Sequence, residues 1–267
     1  MSHALVLMAP APSDHMAGLA DRARAAIPVA GDATWLAADM AAELPLPEAS
    51  GETVRSWRET VAALIGDAPV DNAIIRSEGR QKRLLVADMD STIIAQECID
   101  EVAHAAGIKP QVAAITERAM RGDLDFEQAL RERVALLRGL PEAALAQVLE
   151  ERITLNPGAR ELVATMRAHG AYTVLVSGGF TFFTDAVAAR AGFDANSANK
   201  LLFRDGELIG VAEPILGREA KRDRLIAQAE ALDMPLSETL AIGDGANDLA
   251  MLELAGLGVA YHAKPVV

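Results

Sequence analysis

Apolar and polar positions alternate in two different ways along the chain, with a polar stretch between them. Over residues 1–76, short apolar runs alternate with helical patterns. Residues 4–8 (ALVLM) predict a strand, and residues 14–27 predict a helix with Ser13 or Asp14 as its cap. Residues 34–46 contain WLAADMAAELPL, which fits either a strand or a helix period. Residues 52–65 predict a second helix and residues 72–76 a strand. The order is roughly βαββαβ, a small α+β module. Residues 77–83 (SEGRQKR) are polar and charged and predict a linker.

Beyond the linker the pattern changes. Residues 84–87 (LLVA) are wholly apolar, as in a parallel strand buried on both faces. Residues 99–167 are almost entirely helical in pattern, broken at Lys109-Pro110, Arg121-Gly122, Leu140-Pro141 and Asn156-Pro157-Gly158. Further buried strands are predicted at 173–176, 240–242 and 257–261, with helices at 180–191 and 218–232. Residues 199–212 hold Asp205-Gly206 between apolar pieces, a hairpin signal. Strands alternating with helices predict an α/β domain over 84–267 built on a Rossmann-like parallel sheet. The helical block at about 97–167 falls between its first and second strands. It is therefore expected to be an inserted helical cap at the C-terminal edge of the sheet, where ligands sit in open α/β folds.

Composition narrows the chemistry. The 267 residues are 51% hydrophobic and 24% charged, a globular balance. Only 4% are aromatic, so Ala, Leu and Val must fill the core. The net charge of −13 disfavours a nucleic-acid partner, which would need a basic face. A single cysteine, Cys98, excludes a disulfide framework and any CxxC site. The five histidines are scattered and form no HExxH-like pair, which disfavours a histidine zinc site. The first residues lack the basic and apolar regions of a signal peptide, and no 18-residue apolar stretch occurs. A cytoplasmic protein with no membrane partner is the expectation.

Four motifs sit at predicted strand ends. Asp88-Met89-Asp90-Ser91-Thr92 follows LLVA. On a continuing strand its two carboxylates would point to opposite faces, whereas a turn just past the strand lets both line one pocket. Ser177-Gly178-Gly179 follows the second strand and offers a hydroxyl and unhindered N–H groups at a helix start, a site for an anion. It is not a G-x-S-x-G elbow, because Leu175 stands two residues before Ser177. Lys221 lies on the helix predicted to follow; a lone lysine there is ordinarily a surface residue. Gly243-Asp244-Gly245-Ala246-Asn247-Asp248 follows the third strand, and Asn247 in it would also serve as a plain helix cap. Three or four carboxylates converging without histidine specify a hard cation, Mg²⁺.

DxDST, SGG, a later lysine and GDGxND, in that order over residues 84–265, resemble the haloacid dehalogenase superfamily of phosphotransferases. Glu97-Cys98-Ile99-Asp100-Glu101 and the run from Asp125 to Val134 are similar to its phosphoserine phosphatase family. That resemblance implies Mg²⁺-dependent hydrolysis of O-phospho-L-serine, the last step of serine biosynthesis. It implies Asp88 as nucleophile and Asp90 as acid and base. Mg²⁺ would be held by Asp88, the Asp90 backbone carbonyl and Asp244, with Asp248 orienting ligands. Ser177, Gly178 and Lys221 would hold phosphate oxygens, and Asn247 would position Lys221 or a phosphate oxygen. Glu97 would accept the substrate ammonium, Arg133 would clamp its carboxylate, and Met120 and Phe126 would either form an apolar lid or simply pack the cap core. Cys98, with no histidine beside it, reads as a small buried residue.

Two further expectations attach to the ends of the chain. The N-terminal module loosely resembles an ACT-like domain, which implies ligand sensing or a homodimer. Superfamily members continue past the Lys-Pro after the last strand, so a chain stopping at Val267 is expected to leave that sheet edge short. Two other readings are a phosphatase for another small substrate, such as phosphohomoserine, and an inert sensor. Intact Asp88, Asp90, Lys221 and Asp244 oppose the inert reading.

Overall fold

The computed structural model describes residues 2–267 except Gly122 and Arg218, and only the backbone of Met120. The chain divides into two compact units, Met1–Gln81 and Lys82–Val267. No helix among the described residues is long and apolar enough to cross a membrane.

The first unit runs β1 (His3–Met8), α1 (His15–Ala26), β2 (Thr34–Ala37), β3 (Ala41–Leu46), α2 (Gly51–Ile65) and β4 (Asp71–Arg76). The ambiguous stretch at 34–46 resolves into a hairpin of β2 and β3, turned at Asp39 with a positive φ of 54°. The sheet is antiparallel in the order β2-β3-β1-β4. Leu5, Leu7, Leu44, Leu46 and Ile74 point to one face and pack on Met16, Leu19, Val54 and Val61 of the helices. Ser50 caps α2 by accepting the Thr53 N–H at 3.2 Å. Asp14 stands at the N-cap of α1 without a side-chain capping bond. β2 is exposed along its whole length, Trp35 and Leu36 included, so burial never imprinted a period of two on it.

In the second unit a five-stranded parallel sheet has the order β11-β10-β5-β6-β7: β5 (Leu84–Asp88), β6 (Tyr172–Phe180), β7 (Ala195–Asn199), β10 (Thr239–Gly243) and β11 (Leu257–Ala260). Alternation along β5 splits the core into two layers. Leu84 and Val86 pack with Val174, Leu225 and Met251 on one face, while Leu85 and Ala87 join Leu175, Phe183 and Val187 on the other. Helices α7 (Ala159–Ala168) and α8 (Thr181–Ala191) accompany the second face, and α9 (Ala220–Ala231) and α10 (Leu249–Leu254) the first.

β7 has the sequence ANSAN, with no apolar run to announce a strand; only backbone pairing to β6 makes it one. The Asp205-Gly206 signal is a turn with both residues at positive φ, joining β8 (Leu201–Arg204) to β9 (Glu207–Val211). The helical block expected at about 97–167 divides in two. Helices α3 (Cys98–Ala105), α4 (Lys109–Met120), α5 (Phe126–Leu136) and α6 (Glu142–Glu151) pack on one another as the insertion. α7 instead lies on β6 and α8 and belongs to the sheet layers. Its helical period could not separate it from its neighbours, because both positions bury one apolar stripe.

Phe183 is fully buried on α8 and touches the Phe182 ring edge-on at 5.3 Å between centroids. Phe183→Ala is expected to lower the unfolding free energy by about 3–5 kcal/mol, read as a fall in the urea midpoint at unchanged slope.

Candidate active site

β5, β6 and β10 are neighbours, so their C-terminal ends bring three of the motifs to one edge of the sheet. Of the residues singled out from the sequence, Asp88, Asp90, Glu97, Arg133, Ser177, Gly178, Lys221, Asp244 and Asn247 line a single cavity of about 160 Å³ there, and Asp248 is buried beside Lys221. Asp88 ends β5, and its Oδ1 accepts the Met89 N–H at 2.7 Å. The chain then turns tightly over Met89–Ile93, with Ser91 in the left-handed region at φ 56°. That reversal swings Asp90 back beside Asp88. A non-glycine residue held there is strained, as turns that aim side chains into a site often are.

A chain of buried polar contacts runs through the cavity floor. The Lys221 ammonium lies 2.7 Å from Asp88 Oδ1 and donates to Asp248 Oδ1 at 2.5 Å. Lys221 is therefore not the surface residue that its position on a helix would suggest; it is 4% exposed. The other Asp248 oxygen accepts the N–H groups of Asp244 and Gly245 at 3.1 and 3.0 Å. This arrangement needs Gly243, because any Cβ there would collide with the Asp248 side chain. Asp90 accepts the Cys98 N–H at 2.7 Å and the Ser177 hydroxyl at 3.0 Å. Ser177 Oγ in turn accepts the Gly179 N–H at 2.9 Å. Asn247 is exposed at the cavity wall, and the lysine is held by Asp88 and Asp248.

Burial pushes the Asp88 carboxyl above its ordinary value; Lys221 opposes the shift and favours the carboxylate, and Asp248 and Asp90 add to the rise. Burial also raises Asp244, with Asp248 adding to the effect and Lys264 opposing it. Burial disfavours the Lys221 ammonium, but Asp88 and Asp248 outweigh it and hold the amine above its ordinary value. The four aspartates of the floor thus carry more negative charge than Lys221 and Lys264 offset.

The insertion supplies the other wall. Glu97, just before α3, accepts the Ser91 hydroxyl at 2.7 Å. Its carboxyl is pushed up to about 7 by loss of water, then by Asp90 and Asp244; Ser91 and Lys264 pull the other way. Because the residue as a whole keeps contact with solvent, crowding by carboxylates is the firmer cause. Arg133 on α5 is half-buried, its Nε donating to the Ala129 carbonyl at 3.2 Å, and burial lowers its pKa. Phe126, at the start of α5, closes over the glycine loop: a Cβ on Gly178 would come within 3.0 Å of its ring. The lid role expected of Met120 lies outside the described residues. Cys98 is buried, and burial beside Asp90 pushes its thiol well above the ordinary value, which leaves it un-nucleophilic.

Single carboxylate oxygens of Asp88, Asp244 and Asp248 all lie within 4.8 Å of one another. Buried, hard and net negative, this donor set fits a divalent cation of the Mg²⁺ class. Two contributors were missed in the sequence. Lys264 lines the cavity with its amine 3.9 Å from Asp244 Oδ2; the Lys-Pro after the last strand was its signal. The Cys98 N–H on Asp90 is a backbone group and leaves no mark in a sequence.

The fold and the acidic floor define a hydrolase of the α/β class with a helical cap. Residues 85–253 match the family described as haloacid dehalogenase-like hydrolase, and the chain belongs to that family. It is 49% identical over 191 residues to the phosphoserine phosphatase of Albidiferax ferrireducens, covering 69% of this chain and 81% of that one. Against the phosphoserine phosphatases of Vibrio cholerae and Streptomyces coelicolor the match spans little more than half of their length, 56% and 55%. A crystal structure of a HAD family hydrolase from Salmonella enterica serovar Typhi superposes with a TM-score of 0.86 at 32% identity. It covers 99% of this chain and 91% of that one. A phospho-aspartyl intermediate analogue of a phosphoserine phosphatase superposes at 0.64 with 40% identity, over 70% of this chain and 90% of that one.

Mg²⁺ is expected to raise the thermal midpoint, by the equivalent of about 2.7 kcal/mol at a hundred times its dissociation constant. EDTA should reverse the rise and Asp244→Asn should remove most of it; a midpoint indifferent to Mg²⁺ counts against a cation site.

Proposed function

We propose that the chain hydrolyses O-phospho-L-serine to L-serine and orthophosphate with Mg²⁺, through an aspartyl phosphate on Asp88, the final step of serine biosynthesis. The observation that carries this is one cavity holding both a buried carboxylate–lysine floor and, on its cap wall, Glu97 and Arg133. The likeness to phosphoserine phosphatases supports the choice of substrate.

Asp88 attacks the phosphorus through its carboxylate, and the bond from phosphorus to the serine oxygen breaks. Asp90 gives that oxygen a proton, then takes one from the water that cleaves the acyl phosphate, restoring Asp88. Asp88, Asp244 and the Asp90 backbone carbonyl would hold Mg²⁺, which offsets the repulsion between carboxylate and phosphate when bound. Lys221, the Ser177 hydroxyl and the Gly178 N–H take the phosphate oxygens as charge shifts between them. For this, Ser177 turns its hydroxyl from Asp90 to the phosphate, freeing a carboxyl oxygen of Asp90 for proton transfer. Glu97 accepts the ammonium and Arg133 the carboxylate as a planar fork. Phe126, packed against Gly178, narrows the cavity on the cap side, so that the hydrolytic water is the one Asp90 holds.

Asp88→Asn is expected to abolish turnover in a phosphate-release assay while the circular dichroism spectrum stays native. A panel of phosphoserine, phosphothreonine and phosphohomoserine should rank phosphoserine first; a different ranking reassigns the substrate.

With the Glu97 carboxyl at about 7, its ionised form gains as pH rises. KM for phosphoserine should therefore fall between pH 6 and 8 more steeply in the parent protein than in Glu97→Gln. Parallel KM profiles would remove Glu97 from the ammonium site.

A further inference from the structure

Asn199 ends the polar strand β7 and is 2% exposed. Its carboxamide is used at both ends. Nδ2 donates to the Gly178 carbonyl at 2.9 Å, and Oδ1 accepts the Leu216 N–H at 2.7 Å. These partners fix the amide orientation, since a flip would set donor against donor and acceptor against acceptor.

Each partner leads to a different part of the cavity. The Gly178 carbonyl and the Gly179 N–H belong to one planar peptide group and point in opposite directions. Holding the carbonyl therefore aims that N–H at Ser177 Oγ, which it reaches at 2.9 Å, and Ser177 in turn meets Asp90. Leu216 lies five residues before Lys221, in the segment that enters α9. Between Asn199 and Leu216 the chain departs into the β8–β9 hairpin, whose base is closed by Ala212 N–H on the Lys200 carbonyl. One buried side chain thus spans the glycine loop and the approach to the lysine helix.

We propose that Asn199 is a positioning residue, which sets the Ser177–Gly179 loop and the Lys221 helix at one separation so that both face the same phosphate oxygens. The proposal rests on the phosphatase reading above. The test uses the full chain with Asn199→Ala and Asn199→Asp. The Asp variant keeps the shape and the acceptor for Leu216 but sets an oxygen against the Gly178 carbonyl. Thr184→Val is the comparator: it removes the Thr184–Asn196 bond at 2.7 Å between α8 and the same strand.

Both Asn199 variants should lose roughly a hundredfold in kcat, as displaced catalytic groups do. Their inhibition constant for orthophosphate should rise about tenfold, a readout of anion binding that a merely structural bond does not move. Thr184→Val should lower the thermal midpoint with the orthophosphate constant within about twofold of the parent. The proposal is overturned if the Asn199 variants keep kcat and the orthophosphate constant, or if Thr184→Val matches their losses at an equal drop in midpoint. Should Asn199→Ala not fold, the Asp variant decides alone. A parent that releases phosphate from no phosphomonoester removes the phosphatase reading and this one together. An active parent with unaffected variants removes only the role of Asn199.

Discussion

The second unit is organised around a lysine ammonium buried between two carboxylates. Lys221 lies between Asp88 and Asp248, with none of the three more than 4% exposed. Such a group costs several kcal/mol per ion to desolvate, and only close contact with hydrogen bonds to the remaining lone pairs offsets this. The chain supplies those bonds from its backbone. Met89, Asp244 and Gly245 each give an N–H to the acidic pair. The glycine turn after β10 therefore serves the ion pair as much as the ligand: with a side chain at Gly243, Asp248 would have no room to receive Lys221.

That constraint accounts for the asymmetry between floor and wall. The floor is assembled from the ends of packed parallel strands, where backbone positions are over-determined. The wall comes from the inserted helices, with Glu97 exposed and Arg133 donating to a carbonyl of its own helix. On the proposed mechanism, the groups that carry charge through the reaction belong to the strand ends, and the groups that discriminate one substrate from another belong to the insertion. Phe126 against Gly178 is one place where the two parts meet, and the Cys98 N–H on Asp90 is another.

Much of this was legible in the sequence because buried strands write their own signature. LLVA, TVLV and LAI marked three adjacent strands, and each was followed at once by polar residues that burial alone would not place there. The residues of the three strand-end motifs then fell together because parallel strands end at one edge, and α9 and the insertion bring Lys221, Glu97 and Arg133 to the same cavity. What escaped was held by the backbone or by tertiary context. β7 is polar and exists through its pairing, and the Cys98 N–H leaves no trace in side-chain chemistry. The cap was drawn one helix too long because α7 has the same amphipathic period as its neighbours. β2, exposed throughout, offered no alternation to read.

The distribution of aromatic residues has an optical consequence. Both tryptophans, Trp35 on the open strand β2 and Trp57 against the helix–sheet core, belong to the first unit, whereas all six phenylalanines and both tyrosines belong to the second. Both indole fluorophores are therefore carried by the smaller unit, Trp35 exposed and Trp57 partly buried, so that the emission of Trp57 shifts as that core opens. The larger unit holds no indole of its own and shows itself in ellipticity and tyrosine absorbance.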